Sequence, residues 1–249
     1  MASTLLSLFA PACAFGMALE GVLLPRRETP APFLAFLDLM SVCALALAAF
    51  VAGLAGGVLA WGWAAAAVAF LSARALTLAG RPLSFEVRLG GVFLLLGAEV
   101  ERHLRAGGGT DGALATHLAG WALLGGLGGS VFATMLLGHW YLNVPGLAFG
   151  PLRRGVALLL GAVSLRCAWT GAWLALGGAA FPGSSPVLVW TRLAIGLGVP
   201  AVMMWCAWGC VRLRANQSAT GILYAATALV WIGEMIASHL FLAGASATL

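Results

Sequence analysis

Apolar residues run along this chain in eight long blocks, and the polar stretches that separate them are short. A bilayer's hydrocarbon core is about 30 Å thick and an α-helix rises about 1.5 Å per residue, so about 20 mostly apolar residues are needed to cross it. The blocks run approximately over 4 to 24, 33 to 54, 57 to 79, 86 to 104, 113 to 142, 154 to 178, 186 to 211 and 218 to 244. Each predicts a spanning helix. Together they predict an all-α, polytopic membrane helix bundle, with residues 1–249 forming a single transmembrane domain.

The breaks between blocks carry turn chemistry. Pro25-Arg26-Arg27-Glu28-Thr29-Pro30 follows the first block, Gly107-Gly108-Gly109-Thr110-Asp111-Gly112 the fourth, and Phe181-Pro182-Gly183-Ser184-Ser185-Pro186 the sixth. Between Gly53 and Gly57 the second and third blocks leave room only for a very tight turn. The first block resembles a signal peptide's apolar region but has no basic stretch before it and continues past Cys13 to Leu24, so it is expected to be a retained helix.

Composition turns this pattern into an exclusion. Hydrophobic residues make up 62% and charged residues 8%, with a mean hydropathy of +1.01, against about 25% charged in soluble domains. A soluble globule is excluded. All 13 basic residues are arginine, against 8 acidic ones, so lysine-based chemistry is excluded and nucleic-acid binding has little support. The net charge of +5 is first explained by the arginines that anchor cytoplasmic loops.

Arginine placement sets the orientation. Seven (Arg26, Arg27, Arg81, Arg153, Arg154, Arg212 and Arg214) fall on one face, whereas Arg102 and Arg105 fall on the other. The first face is expected to be cytoplasmic, and eight spans then put both termini outside, which in a bacterial inner membrane means the periplasm. Trp140 and Tyr141 at an inner helix end, and Trp121 and Trp190 near outer ends, suit an aromatic belt. The Asn216-Gln217-Ser218 sequon falls on the inner side.

Gly125 and Gly129 form a small-xxx-small pair that favours close helix approach, and Pro200, after Gly196 and Gly198, predicts a kink in the seventh span. Cys13, Cys43, Cys167, Cys206 and Cys210 all lie in apolar runs without metal-ligand spacing and read as small apolar residues. No internal repeat, nucleophile triad, phosphate loop or metal motif is visible, and no metal site is expected.

Ionisable residues inside spans cost about 2.5–3.5 kcal/mol each on insertion scales, so each is a functional candidate. Glu20, Asp38, Arg74 and His139 fall in the inner halves of their spans, with Arg166 near the middle. These five could form a proton path; the plainer alternative is an ion pair of Arg74 with Asp38 or Glu20, and a wet His139 beside Trp140 in the run Gly138 to Pro145. His117, Arg192, Glu234 and His239 fall in the outer halves. Arg192 and Glu234 are expected to form a buried salt bridge.

His117 and His239 lie at similar depth. They could ligate a haem b, line a quinol pocket, or be unrelated interfacial histidines. At the outer end of the fourth span, Glu99–His103 and Glu101–Arg105 are i,i+4 pairs and Glu99–Arg102 is i,i+3. They read as a solvated helix end or as a charged docking surface for an extrinsic partner.

Two segments carry a family resemblance. The last block reads Gly221-Ile222-Leu223-Tyr224 through Gly233-Glu234-Met235-Ile236-Ala237-Ser238-His239-Leu240, and the one before it Arg192-Leu193-Ala194-Ile195-Gly196-Leu197-Gly198-Val199-Pro200. With eight spans and outside termini, this resembles the membrane anchor subunits of DMSO-reductase and polysulfide-reductase type complexes. The resemblance implies a subunit without its own metal centre that binds quinol near the outer face and exchanges electrons with an extrinsic periplasmic redox subunit.

On that expectation His117 and His239 face the quinone, Glu234 accepts a proton and Arg192 tunes it. The alternatives are a haem b subunit using the same two histidines, a proton or small-solute carrier using Asp38, Arg166 and Glu234, and a non-catalytic scaffold subunit. Lipid and other membrane-complex subunits are the expected partners.

Overall fold

A computed structural model describes residues 2–52, 58–106, 111–144, 146–175 and 186–242. Every regular element among them is helical: α1 Ala2–Leu23, α2 Ala31–Ala52, α3 Val58–Leu78, α4 Ser84–Arg105, α5 Asp111–Asn143, α6 Gly150–Ala175, α7 Pro186–Leu193, a π turn Ala194–Gly198, α8 Val199–Arg212 and α9 Asn216–Leu242. Each apolar block of the sequence falls on one of these helices, the seventh being divided into α7, the π turn and α8. The tight Gly53–Gly57 turn, the glycines at 107–109 and the loop at 181–185 lie outside the described residues.

Seven helices among the described residues, counting α7 through α8 as one, are long and apolar enough to cross a membrane. The fourth is as long, but Glu86 and Arg88 near its start and Glu99, Glu101, Arg102 and Arg105 near its end leave only Leu89 to Ala98 free of charge. Side chains such as Phe50 (83% exposed) and Trp205 (70%) point outward with no protein cover, an arrangement that lipid tolerates and water does not. The chain is thus a multi-pass membrane helix bundle.

Two compact units divide it, Met1–Gly129 and Ser130–Leu249, with the boundary inside α5. In the first, α2 packs on α1, α3 on α2, α4 on α3, and α4 returns to α1, closing a ring of four helices. The α5 segment of this unit lies against α1 through glycine. A Cβ at Gly125 would strike the Ala12 backbone, one at Gly129 would strike Cys13 and Gly16, and one at Gly16 would strike Gly125. The small-xxx-small pair therefore meets α1 backbone to backbone. Gly125→Leu is expected to force the two helices apart and lower the unfolding midpoint in detergent, whereas Gly126→Leu, whose Cβ would meet nothing, should be nearly neutral.

In the second unit the remainder of α5 runs beside α9, with Thr220 filling the space left by Gly138 and Phe132 stacked near Trp231 at 5.1 Å. α6 packs on α8, and α7, the π turn and α8 all pack on α9. A kink is expected at Pro200; what the helix carries there is a π turn over Ala194–Gly198, shortly before the proline, in which the helix widens by one residue. Gly196 in this turn touches Gly233 of α9 so closely that a Cβ on either would collide with the other's backbone.

Candidate functional site

The ionisable residues sort into separate clusters. Near the α2 start and the α3–α4 turn of the first unit, Arg88 makes a two-pronged ion pair with Asp38, Nε to Oδ1 at 2.6 Å and Nη2 to Oδ2 at 2.7 Å. Both residues are about 1% exposed. Arg88 Nη2 also donates to Thr77 Oγ1 at 3.2 Å, and that hydroxyl donates to the Ala73 carbonyl. Gly21 on α1 leaves room for the Arg88 side chain, whose Cδ would lie 3.4 Å from a Cβ there.

Arg74, expected to pair with Asp38 or Glu20, instead donates to the Ala35 carbonyl at 2.7 Å. The expected Arg74–Asp38 pair is therefore replaced by Arg88–Asp38. Arg88 has the better fork: both carboxylate oxygens are met at once, which a guanidinium prefers. Glu20 is buried in the same unit.

At the other end of α4, Glu99 is the hub. Arg102 holds its carboxylate with both Nε and Nη2, and His117 Nε2 lies 2.6 Å from its Oε1. Glu99 and His117 are 5% and 6% exposed. His103, the i,i+4 partner expected for Glu99, instead lies against the His117 ring, centroids 4.6 Å apart and tilted by 33°. Its buried Nε2 has no hydrogen-bond partner among the described residues. The Glu99–Arg102 and Glu101–Arg105 pairs are present, the second of them solvated. A carboxylate held by an arginine and bonded to a buried imidazole, with a second imidazole against it, brings together the groups that general acid–base chemistry uses.

In the second unit Glu234 is shared by two arginines. Arg166 meets it through Nη2 at 2.8 Å and Nε at 3.3 Å, and Arg192 through Nη2 at 2.7 Å. Arg192 also reaches the Gly196 carbonyl of the π turn at 3.4 Å. Arg192 and Glu234 are fully buried and Arg166 is 2% exposed. The Arg192–Glu234 bridge was expected; the share taken by Arg166 was not. Both carboxylate oxygens accept guanidinium bonds, so Glu234 serves the two arginines as their shared counter-ion.

His139 and His239 make no hydrogen bond to the Glu234 cluster of their own unit among the described residues. His139 is exposed, with Nδ1 2.8 Å from the Tyr224 hydroxyl. It belongs to the arginine-rich end of the second unit, where Tyr141, Leu142 and residues Arg214 to Ser218 line an open cavity of about 430 Å³. His239 is half-buried in the last turn of α9 and makes no side-chain hydrogen bond among the described residues. His117 belongs to the first unit and His239 to the second.

Along the expected proton path, Glu20, Asp38 and Arg74 belong to the first unit and His139 and Arg166 to the second. Among the described residues no group of three or more His, Cys, Asp or Glu side chains could hold a metal. Outside the membrane spans, the Arg26 guanidinium lies 3.5 Å from the Phe85 ring centroid, a cation–π contact at the loop end.

The residues that sequence reasoning left unweighed are Arg88, Thr77, Thr170 and Trp169; the reading of His103 as a helix-end partner also changes. Arg88 comes four residues after the start of α4, directly before the uncharged run Leu89 to Ala98, and that position was the signal available in the sequence. No protein-family model matches this chain, and no characterised protein or solved structure does either.

Proposed function

We propose that this chain is an eight-span protein of the bacterial inner membrane, with both termini outside, that handles quinol as the anchor subunit of a redox complex. The observation that supports it best is the Glu99–His117–His103 cluster, with the buried Nε2 of His103 unspent beside an imidazole–carboxylate pair. Oxidising a quinol releases two protons and two electrons. In this reading His103 Nε2 accepts a hydrogen bond and then the first proton from one quinol hydroxyl, and His117, backed by Glu99, takes the second.

Arg102, whose side chain is 21% exposed, ties Glu99 to the solvated helix end, giving the proton a short route to the outer face. The electrons pass to an extrinsic iron–sulfur subunit, for which the Glu101–Arg105 end of α4 offers a charged docking edge. The haem alternative needs His117 Nε2 as an iron ligand, and that atom is bonded to Glu99; quinol chemistry uses the arrangement as it stands.

A titration of the purified protein with short-chain ubiquinone and menaquinone analogues tests this reading. His117→Ala and His103→Ala are each expected to weaken binding about tenfold or more, the value of one hydrogen bond to a charge-bearing group. Glu99→Gln should retain binding but slow quinol oxidation in the native complex. The reading is abandoned if the folded wild-type protein binds neither analogue.

A further inference from the structure

The second unit carries a surplus of positive charge at its most deeply buried point. Two guanidiniums meet one carboxylate, and arginine stays protonated in any protein environment, so Arg166, Glu234 and Arg192 together hold a net charge of +1. Such a charge is expensive in an apolar interior unless something compensates it. Around it, hydrogen-bond donors are left over. Arg192 Nε is buried without a partner among the described residues, and so are the Thr170 hydroxyl and the Trp169 indole Nε1.

Trp169 and Thr170 follow Arg166 on α6 by three and four residues, which places all three on one helical face. Thr170 is 1% exposed and Arg192 fully buried. Among the described residues most buried Thr and Ser hydroxyls donate to the carbonyl one turn back, as Thr227 does to Leu223 and Ser238 to Glu234. Thr170 does not follow that habit. Its unpartnered oxygen is an exception that a ligand on this helix face would explain.

We propose that this face binds a small monovalent anion, of the halide or formate class, between α6 and α7. The surplus guanidinium charge attracts it, and the Arg192 Nε–H, Trp169 Nε1–H and Thr170 hydroxyl donate to it. N–H and O–H groups donate to an anion, and a monovalent one balances the single surplus charge. Glu234 repels the same anion and so limits its affinity. The π turn keeps Arg192 in place through the Gly196 carbonyl and the Gly196–Gly233 contact. This inference stands on the second unit alone and does not depend on quinol binding by the first.

Thermal unfolding of the purified protein, in chloride, bromide or formate against gluconate at constant ionic strength, tests it. The midpoint should rise saturably with the three small anions and not with gluconate. Trp169→Phe/Thr170→Val, which leaves the charged triad intact, should raise the half-saturating chloride concentration about tenfold or more. Glu234→Gln, if folded, should lower it. Equal midpoints in all four salts overturn the proposal, as does an unchanged chloride response in the folded double variant.

Discussion

Glu234→Ala is expected to destabilise the protein by about 3–5 kcal/mol, the usual cost of leaving a buried charge without its partner. Here two guanidiniums lose their partner at once, one fully buried and the other 2% exposed. A total stability of about 5–15 kcal/mol leaves little room for such a loss, so the variant should accumulate poorly and unfold early in detergent. Arg192→Met is the informative contrast. It removes the surplus charge and leaves Glu234 doubly bonded to Arg166, so its effect should be much smaller. If unfolding midpoints placed Arg192→Met below Glu234→Ala, the triad would not be the electrostatic unit described.

The second large effect belongs to Asp38 and Arg88. Asp38→Leu or Arg88→Met alone strands a buried charge and is expected to cost about 3–5 kcal/mol, whereas the double variant should recover most of that, since an apolar pair tolerates the same site. A strong coupling in this double-mutant cycle checks the pair directly. Arg74→Met supplies the control: its bond to the Ala35 carbonyl is worth about 1–3 kcal/mol at most. Coupling of Asp38 to Arg74 in place of Arg88 would contradict the geometry.

The helices were legible in the sequence because burial in lipid demands long apolar runs, and the demand is the same for every helix. Partners were less legible because depth along a helix says nothing of direction around it. Arg74 and Arg88 lie on consecutive helices at the same end of the first unit, and depth alone could not choose between them; the fork that fits both oxygens of Asp38 decides it.

Glu99 shows the opposite error. The i,i+4 spacing offered it His103, but a partner from another helix, His117, reached the carboxylate while Arg102 held it from its own helix. Arg192 and Glu234 were matched by depth, yet the habit of pairing charges one to one placed Arg166 on a proton path and not in the ion pair that it shares with them. The glycine pair at 125 and 129 announced a close contact, and only the fold shows that α1 makes it.

The π turn between α7 and α8 separates two angular phases of one continuous helix. In a plain α-helix each residue turns the next by about 100°, so the direction of Arg192 would fix the direction of every side chain that follows. One additional residue per turn over Ala194–Gly198 breaks that link. The half before the turn aims Arg192 at Glu234 while the half after it, offset in phase, sets Met204, Ala207 and Val211 into the protein interior, where all three are buried. A charge and an apolar stripe that a single helical phase would force to compete are thereby carried by one membrane crossing.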